Sequence, residues 1–391
     1  MIASNYPAIT RLRFSRYRCF RDRNEVALGR LTLVYGENNA GKSALVRLPA
    51  LLADSRTPGR AGLDTNSVLL SNGSPRQIQW RGLLRDTESP DVMLALELGD
   101  GVYWEWTLEW QDLQRKLLVS AVKTGNAGGS EITFDLDAGL DGLVPVGGQS
   151  SEADEHRKAL FTALLGVTWL GADRAGPLPS GVSIGASGRL WGDGNKAEAN
   201  ALVEPTLLAG VSAFYEKHAN RRLARETRGQ DIEALLLEPA GEPGPRVTFD
   251  ESGSGLRHIF AVLVALETLR KNGGLLIVEE PESHLHPRLQ RALAEHMVAV
   301  LADNPKTQIL LETHSEVFLL AALDAALPND GLGHDEVRLQ WIDAHKDGSA
   351  SVELIELGPD GRPQTPRLEQ AFETMGVMRR QLLAKRRANA S

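Results

Sequence analysis

The sequence contains only one cysteine, Cys19, among its 391 residues. A single thiol forms no disulfide within the chain and no cysteine-based metal cluster, which fits a reducing compartment. Long apolar runs are missing too. The longest helical one, residues 259–266, is far too short to span a bilayer, and the N-terminal residues lack the apolar region of a signal peptide. These shortages predict a cytoplasmic protein without a membrane partner.

An excess of positive charge is also missing. The chain has 43 lysines and arginines against 51 acidic residues, a formal net charge of −8. This balance argues against a general polyanion binder, although a local basic face remains compatible with it. No repeat of 20–50 residues is present, which argues against a solenoid. Hydrophobic residues make up 42% of the chain, enough for a substantial core in two or three domains or in one domain with insertions.

A glycine-rich loop between an apolar strand and an apolar helix is the central feature of the chain. It reads G-x-x-x-x-G-K-S from Gly36 to Ser43, the pattern of a phosphate-binding P-loop. The glycines permit backbone conformations that a Cβ atom obstructs, so loop N–H groups can point at a phosphate chain. In such a loop Lys42 reaches the β- and γ-phosphates and Ser43 holds Mg²⁺. The predicted nucleotide-binding residues of this loop are Gly36, Glu37, Asn38, Asn39, Ala40, Gly41, Lys42, Ser43 and Ala44.

Carboxylates follow a second apolar strand, at residues 275–278. The strand ends in Glu279, Glu280, Pro281 and Glu282, as expected of a buried parallel strand whose carboxyl end faces a ligand. In this arrangement Glu279 approaches Mg²⁺, directly or through a water molecule. Glu280 orients and deprotonates the attacking water. Together with the P-loop, the pair predicts a nucleotide hydrolase.

Two further segments have a phosphate-binding pattern. Ser252, Gly253, Ser254 and Gly255 stand at the start of a long apolar helix, and a helix N-terminus attracts anions. The apolar strand at residues 308–311 runs into Glu312, Thr313, His314 and Ser315. A histidine at the end of a strand beside the one that carries Glu280 can donate a hydrogen bond to a γ-phosphate.

Two other patterns have competing interpretations. His284 and His286 could ligate a metal, but no third ligand lies close by, so a helix start or a subunit contact is favoured. Four arginines between residues 16 and 23, with Tyr17 and Phe20, would suit nucleic-acid phosphates and bases. A charged, solvated edge strand is the preferred interpretation because the whole chain is acidic.

Periodicity predicts the remaining elements in outline. Residues 9–35 are predicted to form two strands and a turn. Strict alternation over residues 102–110 predicts a strand whose tryptophans pack in the core rather than stack on bases. Residues 151–170 predict a helix that leads into a strand at 166–170, and three further helices are predicted at 197–208, 211–228 and 232–237. Residues 180–195 are rich in glycine and serine and are expected to be mobile.

The order of the four motifs resembles the ABC-type ATPase heads of the SMC and RecF kind. It is most similar to the prokaryotic OLD-like (overcoming-lysogenization-defect) AAA-family ATPases. The resemblance covers residues 10–50 and 246–320, and residues 170–177 resemble a segment common in that group. It implies an α/β P-loop NTPase with an ABC-ATPase-like head, a mixed or parallel sheet, a β-rich lobe and a helical insertion.

The family resemblance also implies a role for each motif. Gly36 to Ser43 would be Walker A, and Glu279 and Glu280 would be Walker B and the catalytic glutamate. Residues 283–286 would be the D-loop and His314 the switch histidine. Ser252 to Gly255 would be the signature turn, which in such families binds the γ-phosphate on a partner protomer, so that a homodimer sandwiches two ATP molecules.

The sequence departs from the family pattern in several places. Glu279 replaces the usual aspartate of Walker B, as OLD-like sequences often do. The signature reads S-G-S-G-L-R, which leaves open whether Ser252 or Ser254 meets the phosphate. Gln77 and Gln79 are candidates for the Q-loop glutamine that contacts the metal. The stretch after His314 is short for the Toprim domain of OLD nucleases, and residues 197–238 are too few for SMC-type arms, so neither is expected here.

These observations predict a division of the chain and a function. The predicted segments are an N-terminal ATPase lobe at 1–150, a helical insertion at 151–245, a C-terminal ATPase lobe at 246–345 and a tail at 346–391. The expected function is Mg²⁺-dependent ATP hydrolysis by the sensor or motor subunit of a bacterial anti-phage defence system. A separately encoded nuclease or toxin would be its effector, docking on residues 180–195, on arginines up to Arg228 or on the basic tail after Arg379.

Two alternatives remain open at this stage. A RecF-like repair ATPase would bind DNA directly, which the N-terminal arginines favour and the net charge opposes. A module that binds ATP without turnover is disfavoured because both Lys42 and Glu280 are present.

Overall fold

A computed structural model describes residues 6–365 apart from several short segments. The segments outside the description are residues 57–61, 64–68, 70–77, 81–90, 112–115, 127–128, 137–138, 147–149, 184, 186, 229–230, 242–243, 327–331 and 359–362, and the description ends before residue 366. Gln77 and the basic tail residues Arg379, Arg380, Lys385, Arg386 and Arg387 lie outside the described residues. The predictions made for them stay predictions.

The described chain forms seven α-helices and eighteen strands. The helices are α1 (Lys42–Asp54), α2 (Ser151–Leu165), α3 (Ala197–Val203), α4 (Pro205–Ala219), α5 (Ser254–Asn272), α6 (Pro287–Asp303) and α7 (Glu316–Ala326). The strands of the first half are β1 (Ile9–Ser15), β2 (Asn24–Ala27), β3 (Leu31–Gly36), β4 (Val92–Leu98), β5 (Val102–Gln111), β6 (Lys116–Asn126), β7 (Ile132–Thr133), β8 (Leu140–Asp141) and β9 (Val144–Pro145). The strands of the second half are β10 (Val167–Leu170), β11 (Val182–Ser183), β12 (Trp191–Gly192), β13 (Arg221–Thr227), β14 (Ile232–Pro239), β15 (Gly274–Glu279), β16 (Thr307–Glu312), β17 (Val337–Ala344) and β18 (Ala350–Ile355).

A seven-stranded sheet in the order β12-β10-β15-β16-β3-β17-β18 forms the centre of the molecule. Its neighbouring strands pair in parallel except for β18, which pairs antiparallel with β17. Three of the predicted motif strands, β3, β15 and β16, are adjacent in this order. Because they run in parallel, their carboxyl ends and the residues that follow them meet at one edge of the sheet.

Both faces of the central sheet are buried, as continuous apolar strands predict. Alternate residues of β15 enter different cores: Leu275 and Ile277 pack on the side of α1, whereas Leu276 and Val278 pack on the side of α5. Helices α5, α6 and α7 cover the second face together with α3 and α4. The sheet therefore holds the motif residues on a rigid three-layer scaffold.

An antiparallel sheet in the order β2-β1-β4-β5-β6-β7 packs on the α1 side. Trp104 and Trp106 on β5 are fully buried, which confirms that the period-two tryptophans are core residues. Tyr17 and Phe20 are also fully buried, so their interpretation as base-stacking groups is wrong. Residues 16–23 connect β1 to β2 as a turn, because Phe20 and Tyr17 fold back into the core of this lobe.

The predicted helices at 211–228 and 232–237 are corrected by the structure. Helix α4 ends at Ala219, and Asn220 adopts a left-handed conformation (φ +51°) as its C-cap, after which the chain forms the antiparallel hairpin β13–β14. Arg222 on β13 pairs with Glu238 on β14, and Arg225 pairs with Glu233. These cross-strand ion pairs and the burial of residues 234–237 stabilise β13 and β14 as strands. The arginine-rich sequence instead predicts a helix.

The segment predicted as a helical insertion thus contains both helices and strands. Between residues 151 and 245 lie α2, α3, α4 and the strands β10 to β14, of which β10 and β12 belong to the central sheet. The segment predicted as a C-terminal tail begins with β18, which completes the same sheet. Strand β10 pairs with the distant strand β15, which local sequence does not reveal, whereas β18 joins the sheet through a hairpin with β17.

Candidate nucleotide site

The P-loop connects β3 to α1 with three residues at positive φ. Gly36 has φ +151°, Asn39 +62° and Gly41 +104°, and Gly41 is the N-cap of α1. A Cβ atom on Gly36 would lie 2.5 Å from the carbonyl oxygen of Ile342 on β17, so glycine is needed there for close packing as well as for conformation. The loop therefore has the strand–loop–helix context that phosphate binding requires.

Lys42 is turned back over its own loop. Its Nζ donates hydrogen bonds to the carbonyl oxygens of Gly36 (2.9 Å) and Glu37 (2.6 Å). Burial lowers the pKa of Lys42, and the nearby carboxylates of Glu312 and Glu280 oppose that shift. The Lys42 ammonium group thus lies against the backbone of the loop, near the carboxylates of Glu312 and Glu280.

Ser43 contacts Glu312 rather than Glu279. The Ser43 hydroxyl donates a hydrogen bond of 2.9 Å to Oε1 of Glu312, the last residue of β16. Burial raises the pKa of Glu312 from 4.5 to about 7, and the negative charge of Glu279 adds to the shift. Among Glu279, Glu280, Glu282 and Glu312, the structure therefore brings Glu312 to Ser43 of the P-loop.

Glu279 is buried at the end of β15, where two cationic or polar groups bind its carboxylate. Arg47 on α1 forms a bidentate pair with it, with nitrogen–oxygen distances of 2.6 and 2.5 Å. Nε1 of Trp169 on β10 donates a third hydrogen bond of 2.8 Å to its Oε1. This contact ties the P-loop helix to two strands of the central sheet.

Glu280 follows with a half-exposed side chain and a left-handed backbone (φ +43°), an uncommon conformation for a glutamate. Arg174 supports this turn: its guanidinium donates to the carbonyl oxygens of Glu279 (2.7 Å) and Glu280 (2.8 Å). Burial lowers the pKa of Arg174 to about 10, so it remains charged at neutral pH. The hydroxyl of Ser283 donates to Oε2 of Glu280 at 2.9 Å.

His314 lies between the two carboxylates. Its Nε2 is 3.7 Å from Oε1 of Glu280 and 3.5 Å from Oε1 of Glu312. Burial lowers the pKa of His314, as does the charge of Lys42, which favours the neutral imidazole at neutral pH. The buried carboxylate of Glu282 accepts hydrogen bonds from the backbone N–H groups of His314 (2.8 Å) and Ser315 (3.1 Å) and so fixes this turn.

The Ser/Gly turn begins α5, as predicted. Gly253 is the N-cap (φ +98°), no side chain caps the helix, and its first turn has no acidic residue. The Ser252 hydroxyl donates to the carbonyl of Phe249 at 2.8 Å, whereas Ser254 is exposed. A Cβ on Gly255 would lie 2.6 Å from the carbonyl oxygen of His284, so the helix start packs closely on the 283–286 turn.

The remaining candidates lie as follows. Gln79 is buried and its backbone pairs with Tyr17, whose hydroxyl donates to the Ala44 carbonyl on α1. His286 caps α6 by accepting a hydrogen bond from the N–H of Arg288, which confirms the predicted helix-start role. Three arginines in and after β13, Arg222, Arg225 and Arg228, each pair with a glutamate.

Sequence reasoning assigned no role to five side chains of this site: Arg47, Trp169, Arg174, Glu282 and Glu312. Arg47 stands one turn after the P-loop lysine, yet its partner Glu279 is 232 residues away in sequence. Glu282 and Glu312 had a local signal, since both flank motif residues at the ends of β15 and β16, and Arg174 lies in the segment 170–177 that resembles the family. The others are recognisable only once strands and helix are packed.

The fold is a mixed α/β P-loop fold that resembles the SMC head domains. The SMC head bound to the C-winged helix domain of ScpA superposes with a TM-score of 0.53 at 12% identity, over 90% of this chain and 99% of the other. An SMC head with an extended coiled coil, from Pyrococcus furiosus, superposes with a TM-score of 0.50 at 12% identity, over 95% and 100%. At such identity the likeness concerns the fold, which is mixed α/β with a parallel sheet and an antiparallel lobe, as predicted.

Sequence comparison identifies a narrower segment. Residues 214–321, from α4 to α7, match the family described as "AAA domain, putative AbiEii toxin, Type IV TA system". A stretch of 71 residues is 35% identical to the OLD nuclease of Thermus scotoductus (strain ATCC 700910 / SA-01). That stretch is 18% of this chain and 13% of the nuclease, so the chain matches only a small part of that relative. The chain is thus similar to an AAA-domain family over residues 214–321 and to a part of the OLD nuclease over 71 residues.

Within the described residues, no helix combines the length and the apolar character needed to cross a membrane.

Proposed function

We propose that this protein binds ATP with Mg²⁺ and hydrolyses it at the edge of the central sheet. The observation that carries the proposal is the convergence of Lys42, Glu280 and His314 beside the P-loop, from α1 and the ends of two adjacent strands. Glu280 stands within 3.7 Å of His314, and its charge opposes the lowered pKa of Lys42. A lysine, a half-exposed carboxylate and a neutral histidine are groups that phosphoryl transfer to water uses.

The residues present fit a magnesium ion. Mg²⁺ prefers oxygen ligands, and the site offers the Ser43 hydroxyl and buried carboxylates at the strand ends. Oε2 of Glu312 is buried without a hydrogen-bond partner among the described residues, so this oxygen is available as a ligand for a cation. When bound, Mg²⁺ neutralises charge on the β- and γ-phosphates.

Each side chain has a defined part in this proposal. Lys42 exchanges its loop carbonyls for phosphate oxygens. Glu280 orients the attacking water and accepts its proton, and its position is maintained by Arg174 and Ser283. His314, neutral and held by Glu282, donates from Nε2 toward the γ-phosphate. Gln79 remains our candidate for a Q-loop contact.

Replacement of the catalytic base is the first test. Glu280→Gln should retain ATP binding and reduce turnover by about 10²- to 10⁴-fold, since the proton acceptor is lost while the shape is kept. Lys42→Ala should instead weaken nucleotide binding. Turnover is measured by phosphate release and binding by fluorescence of a labelled nucleotide. Hydrolysis at the wild-type rate in Glu280→Gln would show that Glu280 is not the base.

We further propose that two copies close around ATP. Ser254 is exposed at the uncapped, acid-free start of a 19-residue helix, so it is the better candidate than Ser252 to meet the partner's γ-phosphate. The likeness to the SMC head, at 12% identity, supports the fold of this chain.

A role as the ATPase subunit of an anti-phage system is proposed from the resemblance to OLD nuclease and to a family described through a toxin–antitoxin system. In this proposal a separately encoded nuclease or toxin is the effector. The neighbouring open reading frames should encode it, and its product should co-purify with this chain in an ATP-dependent manner. DNA cleavage by this chain alone with Mg²⁺ or Mn²⁺ would contradict the need for a separate effector.

A further inference from the structure

Two glutamates of the site, Glu312 and Glu279, differ in the groups that their carboxylates contact. The Ser43 hydroxyl lies 2.9 Å from Oε1 of Glu312, and the second oxygen of Glu312 is buried without a partner among the described residues. Both carboxylate oxygens of Glu279, in contrast, are bound by Arg47, and one of them also by Trp169.

The order of the strands explains this division. Strand β16 lies between β15 and β3, so its last residue is one strand closer to the P-loop than the last residue of β15. Glu279 and Glu312 are paired in register at the ends of their strands. The side chain that reaches the loop serine is therefore Glu312, while Glu279 reaches α1 farther along, at Arg47.

The spacing of Ser43 and Glu312 also suits magnesium. Mg²⁺ binds oxygens at about 2.0–2.1 Å in an octahedron, which places adjacent ligand oxygens about 2.9 Å apart. The Ser43 and Glu312 oxygens already have this separation. The Ser43 O–H can rotate away from Glu312, so both oxygens can bind one cation without displacement of either side chain.

We propose that Glu312, together with Ser43, is the protein's ligand for the magnesium of bound ATP, and that Glu279 is a positioning residue that fixes α1 through Arg47. This inference rests on the proposed nucleotide-binding function, because phosphate oxygens must complete the coordination sphere. In the part of the chain that the structure describes, no group of three or more acidic, histidine or cysteine side chains is arranged to hold a metal by itself.

The test measures metal affinity directly, with Mn²⁺ as a paramagnetic substitute. Nucleotide binding is first measured in EDTA with a non-hydrolysable ATP analogue, and Mn²⁺ binding to the loaded protein is then followed by electron paramagnetic resonance. Wild type is compared with Glu312→Gln and Glu279→Gln. Glu109→Gln, which removes the same charge from an exposed position on β5, is the control.

Glu312→Gln should weaken Mn²⁺ binding at least about tenfold while metal-free nucleotide affinity stays within about twofold of wild type. Glu279→Gln should lower the melting temperature with Mn²⁺ affinity preserved. Unchanged Mn²⁺ affinity in Glu312→Gln, or an equal loss in Glu279→Gln, would overturn the proposal. If Glu312→Gln does not fold, Glu312→Asp replaces it: its shorter carboxylate should also weaken Mn²⁺ binding, and wild-type affinity would refute the assignment. Failure of wild type to bind any nucleotide would instead refute the proposed function.

Discussion

At the scale of single residues, the site depends on acids whose surroundings differ. Glu279 is neutralised by Arg47, whereas Glu312 is buried beside like charge, and its pKa is raised to about 7. The two glutamates stand opposite each other at the ends of adjacent strands. Packing thus gives two identical side chains different partners, which no reading of their local sequence distinguishes.

The raised pKa of Glu312 makes the stability of the metal-free protein depend on pH. The folded state retains the proton up to about pH 7, whereas the unfolded chain releases it near pH 4.5, so folding loses stability as pH rises through this window. Glu312→Gln removes the effect and should gain stability over wild type between pH 5 and pH 8, by at most about 3 kcal/mol. Urea unfolding in EDTA at several pH values measures this difference.

The control for this prediction is Glu109→Gln, which makes the same substitution at an exposed side chain on β5. Parallel stability profiles for wild type and Glu312→Gln would mean that Glu312 ionises at its ordinary pKa.

At the scale of elements, the end of β15 is held by a side chain from another part of the chain. Arg174 follows β10 and is 4% exposed. Its guanidinium donates to the carbonyls of Gly171, Glu279, Glu280 and His258. It therefore connects the turn after β10, the end of β15 and helix α5.

Loss of Arg174 should affect stability and turnover more than nucleotide binding. Arg174→Ala leaves buried carbonyls without donors, each at about 1–3 kcal/mol, and frees the left-handed turn at Glu280. We expect a lower melting temperature and a reduced kcat, with nucleotide affinity close to wild type because the P-loop is untouched. Arg174→Lys should restore only part of kcat, since an ammonium group cannot reproduce the planar set of donors.

Arg291→Ala is the matched control, because Arg291 is 63% exposed and its pair with Glu295 contributes little. Equal effects of Arg174→Ala and Arg291→Ala on turnover would exclude a specific role for Arg174 at the strand end.

At the scale of the whole molecule, the signature turn and the P-loop are separate parts of one head. Ser254 is exposed at the start of α5, on the face of the central sheet opposite α1. This arrangement is compatible with a turn that serves the nucleotide of a second copy.

ATP should therefore promote dimer formation when hydrolysis is blocked. Glu280→Gln should sediment as a dimer with ATP and as a lighter species without it, because the bound γ-phosphate bridges the two copies. The double variant Glu280→Gln, Ser254→Arg should retain nucleotide binding and lose the ATP-dependent dimer. A monomeric mass of Glu280→Gln under both conditions would contradict the sandwich, and a constant dimer would assign the contact to another surface.

The sequence by itself determined the P-loop, the order of the motifs and the buried tryptophan strand, because these depend on local spacing and periodicity. The fold class followed from the resemblance of the ordered motifs to known ATPase heads. It also predicted helices where the chain forms the β13–β14 hairpin, because the local sequence of an arginine-rich segment does not distinguish a helix from a strand. In the structure Asn220 ends α4, and the pairing of β13 with β14 stabilises both as strands. Only the tertiary structure decided which glutamate reaches Ser43, that Arg47 neutralises Glu279 and that Arg174 supports Glu280. Those contacts join residues separated by up to 269 positions in sequence, and sheet order, which local sequence does not encode, brings them together.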